Sequence, residues 1–427
     1  MIQKFNHANK INGGLKLAGD KSISHRAVMF ASLADGISEI RNCLLSEDVI
    51  STIHAFKKLG CEIDIIDQIV KISGLGFLGL RKPIDSLYLG NSGTTTRLLS
   101  GILAAQKFES LLTGDDSLSR RPMNRIIEPL NLMGADITGS RDGTLPLLIR
   151  PSKKLKSIQY KMPIASAQVK SSILLLGLHL EDTTEIIEET PTRNHTENML
   201  GLEVVNVDQK KIIRVSRRNY PEPFDLDVPS DISTAAFFIV LGLLADNCEL
   251  TLYNVLLNET RTGVLQILKE MGGDITLSNI EKLNGEKRGD LIVRSSELKN
   301  IKIDKRLIPN IIDEIPILAA AGFFADGEFE IRNAEELRHK ESDRIKSICS
   351  NFKNNNIPIV EFADGFKIEE CKIPPTGKFN SFGDHRIAMT FSIVSMLFKN
   401  GGEVNGFECC AVSNPHFIDQ INSIVKF

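Results

Sequence analysis

Ser22–Ala34 reads SISHRAVMFASLA. It opens on hydroxyl and basic side chains and then turns almost wholly small and apolar, the pattern of a helix buried in a core. The same pattern returns at Gly93–Ala105, Ala167–Leu178, Ile232–Ala245, Ile311–Ala325 and His385–Phe398. A period of roughly seventy residues marks a supersecondary repeat. Polar groups stand at each entrance: Lys21 and Ser22, Asn91 and Ser92, Ser166 and Gln168, Asp231, Asp313 and Glu314, and Asp384–Arg386. A helix N-terminus favours anions, so these entrances suit a small substrate carrying several negative charges.

Each apolar run is followed by a more polar amphipathic stretch that ends near a glycine, then by an apolar strand. Ser46–Gly60 leads to Cys61–Ile66, Pro122–Gly134 to Ala135–Ile137, Thr192–Gly201 to Leu202–Val207, and Gly263–Gly272 to Asp274–Leu277. Ser342–Asn355 before Ile357–Val360 is a looser copy, and Pro415–Val425 closes the chain. Glycine after the last apolar position is a helix stop. Such a unit cannot bury its apolar face alone, so the expected fold is α/β (α+β) with two domains of three repeats each.

The 427 residues are long for one core. A net charge of −3 supplies no basic field for nucleic acid, and no Trp with four Tyr offers no stacking platform. No run approaches the ~20 apolar residues of a membrane span, and Met1–Lys10 lacks a signal h-region. The expectation is a cytoplasmic monomer with no membrane or nucleic-acid partner. The seven cysteines, Cys43, Cys61, Cys248, Cys349, Cys371, Cys409 and Cys410, show no CxxC spacing and read as reduced thiols. The eight His form no metal-binding pair, so no metal site is expected.

Two motifs mislead. Gly74–Gly79 fits GxGxxG, but Arg81-Lys82-Pro83 follows where a helix is needed. Gly14–Ser22 misses a P-loop by one inserted Asp, and the alternation of Leu15 and Leu17 reads as a strand.

The remaining polar residues form a constellation. Ser22 and Arg26 lie four apart on one helical face, as do Lys340 and Arg344 at the entrance His339–Arg344. Arg97 is one turn into the second run, and Arg120-Arg121 precede Pro122, a helix-start signal, where they could clamp an anion. Gly93 permits close approach to the backbone. Asp313-Glu314 opens an apolar run as cap or poised base.

Eight segments in this order resemble the enolpyruvylshikimate-phosphate (EPSP) synthases of the enolpyruvyl transferase family. They are GDKSISHR (Gly19–Arg26), LGNSGTTTRLL (Leu89–Leu99), GDDSLSRRPM (Gly114–Met123), SAQVKSS (Ser166–Ser172), PTRNHTE (Pro191–Glu197), DEIP (Asp313–Pro316), LRHKESDRI (Leu337–Ile345) and GDHRIAM (Gly383–Met389). The resemblance covers nearly the whole chain. It implies an inside-out α/β barrel type of fold, with two domains, each three copies of a two-helix, four-strand unit, closing over substrate. Residues 19–228 would be the shikimate 3-phosphate side. Residues 1–18 and 229–427 would be the phosphoenolpyruvate and acid/base side.

The implied activity is the shikimate-pathway step toward chorismate and the aromatic amino acids. It transfers enolpyruvyl from phosphoenolpyruvate to the 5-hydroxyl of shikimate 3-phosphate, without a cofactor. By resemblance Asp313, Glu341 and Lys21 are catalytic. Asp313 sits at the 5-hydroxyl, Glu341 exchanges the methylene proton, and Lys21 lies between the substrates. Shikimate 3-phosphate would meet Lys21, Ser22, Arg26, Ser166, Ala167, Gln168, Arg193, Asp313 and Lys340. Phosphoenolpyruvate would meet Lys21, Asn91, Gly93, Arg121, Gln168, Lys340, Glu341, Arg344, His385 and Arg386. Two departures are Ala167, where some members have a second serine, and Val412, where some carry a lysine. The family's glycine at Gly93 implies competition by glyphosate. Rival readings are transfer to UDP-N-acetylglucosamine, opposed by the cysteine-free loop Gly114–Ser119, and a non-catalytic repeat scaffold.

Overall fold

The computed structural model describes residues 1–67, 69–208, 210–369 and 376–426. The chain forms two compact units. One, the N-terminal unit, is Gly19–Val228 with Leu283–Glu286; the other, the C-terminal unit, is Met1–Ala18, Pro229–Lys282 and Lys287–Phe427.

The N-terminal unit holds three helix pairs: α1 (Lys21–Leu33) with α2 (Glu47–Lys58), α3 (Gly93–Ala104) with α4 (Asn124–Leu132), and α5 (Ala167–Gly177) with α6 (His195–Leu200). The first helix of each pair is the small-residue run of the sequence, and it is buried on nearly every side. The second is amphipathic and covers one face. Gly60, Gly134 and Gly201 follow the second helices with positive φ, the left-handed stop expected there.

Each pair carries a four-stranded sheet, and the three sheets share one topology. Asp35–Arg41 lies between Asp225–Asp227, parallel, and Ile69–Leu75, antiparallel, with Glu62–Ile66 outermost. Ser110–Thr113 is flanked likewise by Leu87–Tyr88 and Leu147–Arg150. Thr184–Glu188 is flanked by Gln159–Lys161 and Lys210–Val215. The parallel strands Leu87–Tyr88 and Gln159–Lys161 directly precede α3 and α5, whereas Asp225–Asp227 returns from the far end of the unit to complete the first sheet.

The C-terminal unit repeats the plan with α7 (Ile232–Leu244) and α8 (Gly263–Glu270), α9 (Ile315–Phe324) and α10 (Arg344–Asn354), and α11 (His385–Leu397) and α12 (Phe417–Ile424). Helices α7, α9 and α11 form its core with Phe237, Phe238, Leu318 and Phe391 fully buried. Among the described residues its sheets have five, three and three strands. Lys10–Lys16 lies parallel to Cys248–Leu256, so the N-terminal segment completes this unit.

Four expectations need correction. The run Ile311–Ala325 is not one helix: a short helix Ile308–Ile311 ends, the chain bends by 117°, and α9 starts at Ile315. Pro122 is not in a helical first turn, because the chain makes a short helix at Asp116–Ser119, capped by Asp115, and α4 begins only at Asn124. Arg120 is exposed and only Arg121 turns inward, so the pair is no clamp. Lys340 and Arg344 do not share a helical face, since Glu335–His339 is a 3-10 turn and Asp343 caps a helix that starts at Arg344.

The GxGxxG match ends the strand Ile69–Leu75 and no helix follows it. Cys43, Cys61, Cys248, Cys349, Cys409 and Cys410 are free thiols, while Cys371 lies outside the described residues. Among the described residues no single helix is long and apolar enough to cross a membrane.

Candidate active site

In the N-terminal unit the helix entrances converge. Asp20, Ser92 and Ser166 cap α1, α3 and α5 by accepting from the amides of Ile23, Thr95 and Val169. The starts of α3 and α5 are laced together. Gln168 Nε2 donates to Thr94 Oγ1 at 3.0 Å, and Gln168 Oε1 accepts from Arg97 at 2.5 Å. Arg121 donates to Asn91 Oδ1 and, at 3.4 Å, to Ser117 Oγ. Gly93 lies under both guanidinium groups: an ideal Cβ there would be 3.1 Å from Arg97 Nη1 and 3.2 Å from Arg121 Nη1. Asn91, Gly93, Arg121 and Gln168 are thus one cluster, with Arg97 as an added member.

Lys21 pairs with Asp48 at the start of α2. Arg26 is buried, with Nε on Thr196 Oγ1 at 2.8 Å, Nη2 on Ser171 Oγ at 2.9 Å and Nη1 on the Ser22 carbonyl at 2.9 Å. Burial lowers its pKa to about 10, which leaves it charged at neutral pH. Glu197 and Asp20 favour that charge and Arg193 opposes it, which sets Arg193 within the same field. Ser166 spends its hydroxyl on the cap of α5, and Ala167 is the first residue of that helix. Lys170, one turn further, is wholly buried between Glu188 at 3.0 Å and Glu197 at 2.6 Å, a structural ion triad.

A second polar line runs behind this surface from α1 through α2 to the start of α3. His25 Nδ1 meets Thr52 Oγ1 at 2.7 Å, Thr52 meets Thr95 at 2.7 Å, and Thr95 meets Ser92 at 2.6 Å. Burial drives the His25 pKa from 6.5 to about 3, so the ring is neutral in this chain of hydroxyls.

In the C-terminal unit the hub is Arg344, which is 1% exposed. Its Nε donates to Asp384 Oδ2 at 2.8 Å, Nη1 to Asp313 Oδ1 at 3.3 Å and Nη2 to Glu341 Oε2 at 2.6 Å. Burial acts to lower its pKa, but Asp384, Glu341 and Asp313 outweigh burial and raise it, so the guanidinium is permanently charged. Around Asp313 stand Arg386 Nη2 at 3.8 Å and Lys340 Nζ at 4.0 Å. Arg386 Nη1 also holds the Asp313 carbonyl at 3.2 Å. His385, next to Arg386, is buried at the start of α11.

Glu314, the N-cap residue of α9, makes no side-chain cap hydrogen bond, which removes the capping alternative for that residue. Two carboxylates, Asp313 and Glu341, therefore share one guanidinium while remaining partly exposed, at 14% and 21% of their side chains. That arrangement can move protons beside bound anions. Asp384 and Arg97 have no assigned role in the sequence reading. Asp384 lies under Arg344 and accepts from the Arg386 amide at 2.9 Å, and its only signal is its place before His385-Arg386. Among the described residues no group of three or more His, Cys, Asp or Glu is arranged to hold a metal ion. Val412 is half-buried at the end of a 3-10 helix, Phe407–Val412.

Three helix pairs in each unit, with the buried helices opening on polar side chains, define the fold class: a two-domain inside-out α/β protein. A structural neighbour of low sequence identity, the enolpyruvyl transferase NikO of Streptomyces tendae, shares the fold with TM-score 0.76 at 14% identity over 99% of this chain and 97% of that one. The model of the family EPSP synthase (3-phosphoshikimate 1-carboxyvinyltransferase) matches residues 5–421. A 3-phosphoshikimate 1-carboxyvinyltransferase of Thermoanaerobacter sp. (strain X514) is 48% identical over 95% of this chain and 96% of its own length. The EPSP synthase structure from Acinetobacter baumannii has a TM-score of 0.87 at 40% identity, covering 99% of this chain and 98% of its own. The chain belongs to the EPSP synthase family.

Proposed function

We propose that the protein transfers the enolpyruvyl group of phosphoenolpyruvate to the 5-hydroxyl of shikimate 3-phosphate, giving 5-enolpyruvylshikimate 3-phosphate and phosphate. The observation that carries the chemistry is the meeting of Asp313 and Glu341 on Arg344, with Lys340 and Arg386 within 4.0 Å of Asp313. Family membership supports the choice of substrates.

In this reading Glu341 gives a proton to the methylene carbon of phosphoenolpyruvate while the 5-hydroxyl adds to its C2. Asp313 orients the hydroxyl and takes its proton. In the second step Glu341 removes a proton from the new methyl group as the C2–O bond to phosphate breaks. Phosphate departs with the electron pair and takes up the proton that Asp313 accepted, which restores both carboxyl groups. Arg344, Arg386, Lys340 and Arg121 stabilise the charge on the leaving phosphate and the carboxylate, as fixed cations do best in a water-poor site. Lys21, Ser22, Arg26, Ser166, Ala167, Gln168 and Arg193 hold shikimate 3-phosphate. Asn91, Gly93 and His385 complete the phosphoenolpyruvate contacts. Residues 19–228 supply the first substrate's contacts, and 1–18 with 229–427 supply the acid and base. We expect a cytoplasmic monomer.

Glu341→Gln is the test. Loss of a general acid–base group costs about 10²- to 10⁴-fold in turnover, so kcat should fall at least a hundredfold in a protein with an unchanged circular dichroism spectrum. Turnover within fivefold of wild type would remove Glu341 from the mechanism.

A further inference from the structure

Glu314 follows Asp313 in the bend before α9, yet the reaction as derived does not use it. It is 0% exposed. Its amide donates to the Ile311 carbonyl at 2.8 Å and its carbonyl accepts from Leu318 at 2.9 Å, so it joins the bend to the first turn of α9. Its side chain runs away from the Asp313 cations into the first turn of α7. Glu314 Oε1 accepts from the hydroxyl of Ser233. That hydroxyl accepts from Arg261 Nη2 at 2.6 Å. Arg261 is itself 2% exposed and lies 3.4 Å from Asp231, the cap of α7. The other oxygen of Glu314 meets no donor among the described residues.

A carboxylate buried on a single hydroxyl is costly, and an apolar residue would pack the same place at less cost. Its geometry supplies a reason for its presence. Asp313 is gripped on one side by Arg344 and Arg386, and Glu314 on the other by Ser233 and, through it, Arg261. Two consecutive residues pinned in opposite directions leave the bend no freedom to swing.

We propose that Glu314, acting through Ser233 and Arg261, is a positioning residue for Asp313, and that this buried relay governs the rate of the hydroxyl proton transfer rather than substrate affinity. The inference rests on the function proposed above. Misplacing a reacting group by about 1 Å costs up to ~10²-fold, so a loosened bend should lower kcat by about tenfold.

The experiment measures phosphate release from phosphoenolpyruvate and shikimate 3-phosphate by wild type, Ser233→Ala, Glu314→Ala and Glu314→Gln, each also in an Asp313→Asn background. Ser233→Ala removes only a hydroxyl and keeps the variant set usable if Glu314→Ala fails to fold. The expected result is a tenfold lower kcat for Ser233→Ala and Glu314→Ala with KM for both substrates within twofold. Glu314→Gln, which keeps an acceptor for Ser233, recovers most of the loss. In the Asp313→Asn background Ser233→Ala should cost less than twofold further, because there is no base left to position. An equal loss in both backgrounds, a rise in KM that accounts for it, or no loss at all overturns the proposal while the function stands. A silent wild type overturns both.

Discussion

Gly93→Ala separates folding from function at one position. Gly93 is the first residue of α3, with ordinary helical geometry, so alanine suits the backbone and should stabilise it by roughly 0.5–1 kcal/mol. The cost falls on the two guanidinium groups above it. A Cβ would lie 3.1 Å from Arg97 and 3.2 Å from Arg121, some 0.3–0.4 Å inside a comfortable contact of about 3.5 Å. Neither can retreat alone. Arg97 is held by Gln168 at 2.5 Å, and Arg121 by Asn91 and Ser117. Straining one charge-assisted hydrogen bond costs about 1–2 kcal/mol, which is roughly a five- to thirtyfold rise in KM for phosphoenolpyruvate. Glyphosate, expected at the same glycine, should lose more affinity than phosphoenolpyruvate does. The assay is phosphate release with phosphoenolpyruvate varied at saturating shikimate 3-phosphate, with and without glyphosate, beside a thermal melt. An unchanged KM and an unchanged inhibition constant would refute the crowding argument. So would a fall in kcat that tracks a fall in melting temperature.

Other outcomes follow from the buried groups. Lys170→Met should destabilise the protein by about 3–5 kcal/mol, because Glu188 and Glu197 would keep buried charge without their cation; a urea denaturation midpoint equivalent to less than about 1 kcal/mol would show that the triad contributes little. His25 titrates at about 3 when folded and 6.5 otherwise. The unfolded chain therefore binds the extra proton between those values, and stability is full above pH 6.5 and falls as the pH drops toward 3, by about 2 kcal/mol at pH 5. Unfolding free energies of wild type and His25→Gln at pH 7 and pH 5 should show the smaller pH slope in the variant; equal slopes would mean that His25 is not the source.

The six apolar helices are legible because a run such as Ile232–Ala245 is apolar on every face, which only a core helix tolerates. The same property hides the bend at Asp313. An all-apolar run has no phase, so its periodicity cannot report that a turn has been inserted, although Pro316 in the first turn of α9 marks the true start. At Arg121 the proline signal points to the wrong residue, because Asp115 starts a shorter helix just before it. At Lys340 a four-residue spacing suggested a shared face, whereas Asp343, a strong cap, starts the helix at Arg344. Partners distant in sequence stay invisible: nothing local to Arg26 points to Thr196, nor anything near Lys21 to Asp48. The motifs thus carry the residue types of the candidate site, and the tertiary fold decides which of them meet.

The most direct test of the account is phosphate release by purified protein given phosphoenolpyruvate with either shikimate 3-phosphate or UDP-N-acetylglucosamine. The account predicts release with shikimate 3-phosphate alone. Release with the sugar nucleotide alone, or with neither from folded protein, would contradict it.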